Sequence, residues 1–214
     1  MRLRNIPGAR EAVAASPFCV SADPSMRGKW RSLFGEVCAL HLEIGSGKGR
    51  FLIEQAKRRK ECAFLGMERT STVMYKALKK LGREEEAPGN LRFVLADAML
   101  LESLFAAGEV DRIYLNFSDP WPKERHAMRR LTGAAFLARY ARVLARDGVI
   151  EVKTDNRALF DWSEEQVLAA GWRIEAMTHD LHADEHMRQN NVMTEYEERF
   201  SALGHPICKM IIRR

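Results

Sequence analysis

The chain has 214 residues, 46% hydrophobic and 29% charged, with 7 Pro and 14 Gly, a composition that fits one globular domain with at most a short extension. No stretch approaches the ~18 uninterrupted apolar residues of a membrane span, and the first residues lack the apolar run of a signal peptide, so no membrane association is expected. The four cysteines (Cys19, Cys38, Cys62, Cys208) form no Cys-x-x-Cys pair, which excludes a zinc ribbon, argues against a disulfide scaffold and suits a reducing cytoplasm.

Net charge is +5, from 34 Lys+Arg against 29 Asp+Glu. Its distribution says more than its sum. Between Lys123 and Arg146 seven basic residues stand against one acid, Glu124, and the opening 30 residues are basic as well. Two such regions suit a polyanionic partner, although a solvated helix face would carry the same charges.

Short β-rich runs alternate with amphipathic ones. Residues 38–44 read as a first strand, followed by a glycine cluster and a helix to about Lys60; 63–67 read as a second strand. The next helix places Val73, Met74, Ala77, Leu78 and Leu81 on one face. A polar loop at 83–90 leads to strands at 91–96 and 111–117, after which Pro120 and Pro122 forbid further pairing. A long helix is expected from about Ala127 to Ala145, then a strand at 148–153, with Asp155 or Asn156 capping a helix that carries Leu159, Trp162 and Ala169. Residues 172–177 and 206–212 supply two final strands. The expected class is α/β: a Rossmann-like, seven-stranded, mostly parallel sheet with helices on both faces. The expected organisation is a basic extension over 1–36 and a catalytic domain over 37–214. Such sheets bind ligands beyond the carboxyl ends of their strands, so functional residues should follow strands.

The first strand runs into Glu43-Ile-Gly45-Ser-Gly47-Lys-Gly49. A P-loop fails here because Lys48 is followed by Gly49, and a dinucleotide fingerprint fails because Arg50 takes the last glycine's place. A GxGxG turn preceded by an acid suits a ligand carrying positive charge, and S-adenosylmethionine, with its sulfonium and amino groups, is such a ligand. Glu68 ends the second strand, where an acid accepts from ribose hydroxyls, and Asp97 follows the third, where it can accept from an adenine amino group.

After the fourth strand comes Asn116-Phe-Ser-Asp119-Pro-Trp-Pro-Lys123. Together with His41 to Gly49, Arg125-His126, Lys153-Thr-Asp-Asn156, Thr194-Glu-Tyr-Glu197, Gly28-Lys-Trp30 and the closing 204–214 segment, this resembles the bacterial tRNA (guanine-N7)-methyltransferase family over essentially the whole length. The resemblance implies transfer of a methyl group from S-adenosylmethionine to N7 of guanosine in tRNA, at guanosine 46 of the variable loop. It implies that Glu43, Gly45, Gly47, Glu68, Asp97 and Asp119 contact the cofactor, with Asp119 the catalytic residue, an active-site carboxylate that orients cofactor and base. Lys123, Asp155, Thr194, Glu195, Tyr196 and Glu197 would hold the guanosine; Arg125, His126, Arg129 and Arg130 would touch RNA. Met128 stands where the family often has a basic residue, which removes one phosphate contact. No metal is implied, and a monomer or homodimer is expected.

The chemistry of the residues is consistent with this. Guanine N7 carries a lone pair and no proton, so no general base is required, and the lack of a Ser-His-Asp or Cys-His constellation leaves no gap. Carboxylates such as Asp155 or Glu197 can accept from guanine N1–H and N2–H. In A-form RNA, N7 lies in a groove that side chains cannot enter, so the target is unpaired or flipped. Simpler readings stand beside these: Asp155 as a helix cap, Trp121 as a plug against the core rather than a stacking surface, and residues 194–198 as an exposed strand or helix start. Of His179, His182 and His186 only the last two have helical i, i+4 spacing, and HExxH is absent, so a polar RNA-side or lid loop is expected rather than a metal site. Alternatives from other classes are methylation of another nucleic-acid or protein nitrogen, a non-catalytic RNA-binding module, and an NAD(P) oxidoreductase.

Overall fold

The computed structural model describes residues 6–214, so the basic residues Arg2 and Arg4 lie outside the described part. Eight strands form one sheet: β1 (Cys19–Val20), β2 (Ala39–Ile44), β3 (Cys62–Glu68), β4 (Leu91–Leu95), β5 (Val110–Asn116), β6 (Leu144–Thr154), β7 (Arg173–Thr178) and β8 (Cys208–Arg213). Their spatial order is β1-β4-β3-β2-β5-β6-β8-β7. Every pairing from β1 to β6 is parallel, while β8 runs antiparallel to both of its neighbours. Eight helices accompany the described strands: α1 (Ala9–Ala14), α2 (Arg50–Arg58), α3 (Ser71–Leu81), α4 (Leu101–Leu104), α5 (Ala134–Val143), α6 (Arg157–Ala169), α7 (Glu185–Arg188) and α8 (Glu195–Ser201).

Side-chain alternation divides the core between the two faces of the sheet. Leu40, Leu42 and Ile44 of β2, with Ala63, Leu65 and Met67 of β3, join the cluster that includes Phe136, Tyr140 and Phe160. Phe64 and Phe93 face the other way, onto Leu52, Ile53 and Met74 of α2 and α3. All seven residues of β3 are buried, as expected of a parallel strand covered on both faces. The chain winds outward from β2 through β3 to β4, then returns to place β5 on the other side of β2. That reversal opens a crevice between the carboxyl ends of β2 and β5, the usual ligand position in such sheets.

Three differences from the sequence reading have physical causes. The additional strand, β1, is only two residues long, too short to show a period; Cys19 pairs with Phe93. It belongs to a leading segment packed onto the main core. Trp30 is fully buried and donates through Nε1 to the Leu104 carbonyl at 2.7 Å, while the Gly28 and Trp30 amides donate to Glu109. The helix expected over 127–145 is a 3₁₀ turn (Glu124–Arg129), an extended step at Arg130, and α5 starting only after Gly133. Leu144 then pairs with Val110, so the next strand begins where helix was expected.

Candidate active site

A cavity of about 420 Å³ opens at the switch in strand order. Its walls come from the ends of β2 (Ile44, Gly45), β3 (Glu68, Arg69), β4 (Asp97) and β5 (Asn116 to Asp119), with Trp121, Met128 and Arg129 at its outer side.

The floor begins with the glycine loop. Gly45 and Gly47 have φ of 77° and 57°, a conformation that a Cβ would strain. Their amides are held: Gly45 N–H donates to the Met67 carbonyl at 2.8 Å, and Gly47 N–H to Glu68 Oε2 at 3.2 Å. Glu68 thus braces the loop, and its other oxygen accepts from Thr70 N–H at 2.9 Å. Asp97 uses Oδ1 to cap the following 3₁₀ turn through Met99 N–H, and the residue is exposed.

Glu43 is only 2% exposed. Its Oε1 accepts from Asn116 Nδ2 at 2.7 Å, while its Oε2 and Asn116 Oδ1 are buried without a hydrogen-bond partner among the described residues. Burial pushes the Glu43 carboxyl up to about 8; the Asn116 hydrogen bond and Lys153 oppose that rise, and Glu68 adds to it. Buried acceptors without donors are costly, and a bound donor relieves them. Two buried oxygens without partners, beneath a cavity carrying Glu68, Asp97 and Asp119, therefore fit a ligand that donates hydrogen bonds and whose positive charge draws the proton from Glu43, as that of S-adenosylmethionine would. Asn116 is a member of this set that motif reading passed over, although it opens the Asn-Phe-Ser-Asp run.

The outer wall is strained. Phe117 and Trp121 have φ of 52° and 41°, rare for residues with a Cβ and worth ~1–3 kcal/mol each. Asp119 is exposed and faces Arg69 at 3.7 Å. Trp121 lines the cavity, with the Arg129 guanidinium 4.8 Å from its ring and His126 edge-on at 5.6 Å. Lys123, Arg125 and Arg129 are exposed. Arg130 turns the other way: its Nε donates to the Pro120 carbonyl at 3.1 Å and its Nη2 to the Trp121 carbonyl at 3.1 Å.

Across Phe117 lies α8. Tyr196 sits 4.9 Å from the Phe117 ring, stacks on Phe200 at 4.1 Å and donates through its hydroxyl to Asp155 Oδ2 at 3.1 Å. The cap of α6 is Asn156, whose Oδ1 accepts from Leu159 N–H, so Asp155 is released from that duty. Thr194 and Glu197 form a capping box that starts α8, a Thr-x-x-Glu signal readable from the sequence. Glu197 is fully buried, bonded to Lys153 Nζ at 2.6 Å and to Asn191 Nδ2 at 2.6 Å. Burial lowers the Lys153 ammonium, with Glu197 as the principal opposing influence. Glu195 is taken by Lys48, at 3.1 Å, and by Lys80. The structure thus brings Asp155 and Tyr196 together beside Phe117, and places Glu195 and Glu197 in contacts that dock α8 onto the glycine loop and β6. The histidine-rich segment assembles no group of three or more metal-ligating side chains among the described residues.

The profile of a family described as "Putative methyltransferase" matches residues 38–210. The chain is 49% identical to a tRNA (guanine-N(7)-)-methyltransferase of Lachnoclostridium phytofermentans, covering 100% of this chain and 99% of that one. It is also 49% identical to a protein of the same name from Geobacillus thermodenitrificans, covering 98% and 95%. Among solved structures, an antibiotic-related methyltransferase superposes with a TM-score of 0.62 at 19% identity, covering 86% of this chain and 92% of that one. The 16S rRNA methyltransferase KamB gives 0.62 at 14%, covering 86% and 91%. These two likenesses show a shared methyltransferase fold, which the switch-point cavity and its acids also display. With near-full-length identity of this size to the named relatives, the chain belongs to the tRNA (guanine-N(7)-)-methyltransferase family.

Proposed function

We propose that this chain transfers the methyl group of S-adenosylmethionine to N7 of a guanosine in tRNA, at guanosine 46 of the variable loop, and that it works in the cytoplasm. The observation that carries the reading is the adjacency of two half-sites: an acid-floored cavity at the strand switch, and an Asp155–Tyr196 pair reached across Phe117.

Bound in the cavity, S-adenosylmethionine supplies an electrophilic methyl on a sulfonium. Glu43 and Asn116 offer their unpartnered oxygens to its donors, Gly45 and Gly47 let the backbone approach, and Glu68 and Asp97 accept from hydroxyl and amino groups. Asp155 Oδ2 is occupied by Tyr196, which leaves Oδ1 to accept from guanine N1–H or N2–H. Phe117 and Tyr196 present aromatic faces to a base, and Glu195 and Glu197 hold the helix that carries Tyr196. Thr194 caps that helix, and Lys123 stands exposed at the loop's far end. Asp119, at the mouth, orients cofactor and base; since N7 bears no proton, no side chain has to remove one. Rate enhancement then rests on alignment and on excluding water. Arg125, His126 and Arg129 form the outward RNA surface, with Met128 exposed among them.

Methyl transfer from labelled S-adenosylmethionine to unmodified tRNA transcripts, with guanosine 46 present or replaced by adenosine, tests this directly. Label that vanishes with the replacement is expected. Label that persists keeps the activity and rejects the position; no label on either transcript rejects the tRNA substrate.

A further inference from the structure

We infer that Arg130 is a positioning residue: it clamps the Asp119–Trp121 loop from behind, backed by Trp162, and is not an RNA contact. The inference rests on the proposed methylation of tRNA and assigns a role within that site.

The need for a clamp follows from the loop's composition. Pro120 and Pro122 have no N–H, so the segment can be secured mainly through its carbonyls. Arg130 takes two consecutive ones, Pro120 and Trp121, its Nε at 3.1 and 3.3 Å and its Nη2 at 3.1 Å from the latter. Among the described residues no other hydrogen bond reaches the backbone from Ser118 to Pro122. The clamped carbonyls include that of Trp121, whose backbone is left-handed, a conformation that persists only where its surroundings over-determine it.

The guanidinium is itself held. Its carbon lies 4.4 Å from the centre of the Trp162 ring on α6, the helix that starts just after Asp155. Arg130 therefore spans the two segments the reaction depends on: the loop bearing Asp119 and Trp121, and the helix whose first turn follows Asp155. Its neighbour Arg129 has the opposite disposition, exposed and lying on the outer Trp121 ring. Two adjacent arginines of the same motif thus divide between an outward and an inward task. Charge patterning cannot separate them, because only backbone direction decides which guanidinium faces solvent.

The planar fork of arginine reaches two carbonyls at once, which the single ammonium of lysine does not reproduce. Arg130→Lys preserves charge and discards the fork. It is expected to lower kcat for tRNA methylation at least tenfold, with KM for tRNA and the slope of log affinity against log salt unchanged. Trp162→Leu should lower kcat in the same direction. A readout independent of activity is limited trypsin cleavage after Lys123 and Arg125, expected to be severalfold faster in Arg130→Lys at equal thermal stability. Wild-type kcat and wild-type cleavage in Arg130→Lys would overturn the inference. So would a salt slope lowered by about one in Arg130→Ala with Arg130→Lys fully active, the signature of a phosphate contact. If the wild-type chain methylates no tRNA, the proposed function fails, and the cleavage rates still decide the role of Arg130.

Discussion

Replacing Glu43 by glutamine should change how the stability of the ligand-free protein depends on pH. The carboxyl is buried, one oxygen bonded by Asn116 and the other without a partner, and burial raises it from the ordinary 4.5 to about 8. The folded state therefore holds this proton more tightly than the unfolded chain. The stabilisation is full below the unfolded value and is lost as pH rises through the folded value near 8. A rise from 4.5 to about 8 amounts to ~5 kcal/mol across the whole window, or ~1.4 kcal/mol for each pH step inside it. A glutamine in its place keeps the acceptor for Asn116 and has nothing to ionise. Urea denaturation of both proteins at pH 5.5, 6.5 and 7.5 should therefore show the stability of Glu43→Gln gaining on wild type by about 2–3 kcal/mol over those two steps. Parallel pH dependences would refute the reasoning, because they would mean that Glu43 ionises alike in the folded and unfolded states. A cationic ligand bound beside Glu43 should expel the proton. S-adenosylmethionine affinity should then rise from pH 6 towards 8 in wild type, with proton release measurable by calorimetry in buffers of different ionisation enthalpy, and lose that dependence in Glu43→Gln.

Asp119→Ala should abolish methyl transfer while leaving tRNA affinity within about twofold, since Asp119 lies at the cavity mouth and no RNA-facing arginine depends on it; wild-type turnover would remove it from the active site. Arg129→Ala should weaken tRNA binding and reduce the salt slope by about one, as loss of one phosphate contact requires; filter binding between 50 and 200 mM salt checks this. Lys153→Met should cost about 3–5 kcal/mol in denaturant unfolding, because it strands the Glu197 carboxylate in the interior; a loss below about 1 kcal/mol would mean the pair is dispensable. Gly47→Ala should weaken cofactor binding by calorimetry, its positive φ being unfavourable for any residue with a Cβ.

The positions of the candidate cofactor residues were legible in the sequence because a parallel sheet writes its buried strands as apolar runs bounded by polar turns. The ends of β2, β3 and β4 carry Glu43, Glu68 and Asp97 where expected. The substrate half was less legible. The residues proposed for it come from three segments far apart in the chain, at 117–123, 155 and 194–197, and the facing of each is decided by packing. In the Thr-Glu-Tyr-Glu segment, Tyr196 points to Asp155, whereas Glu195 meets two lysines and Glu197 is buried against a third. Helical period alone does not distinguish these neighbours, although the capping-box spacing announces that Glu197 turns back on the helix start. The start of α5 was missed for a related reason. Composition favours helix from Ala127, but Arg130 spends its side chain on loop carbonyls and the helix begins after Gly133, about two turns later.

The placement of β8 between β6 and β7 sets a schedule for the growing chain. β7 is made first and has no sheet neighbour until β8 arrives some thirty residues later. Everything needed for the cofactor cavity up to Asn116 has by then been synthesised and can fold around β2 to β5. Tyr196, the partner of Asp155, and Glu197, the partner of Lys153, emerge only with the segment that leads into β8. The partners of Asp155 and Lys153 are therefore the last to be made, and a chain interrupted after β7 would carry both side chains without Tyr196 and Glu197 to meet them.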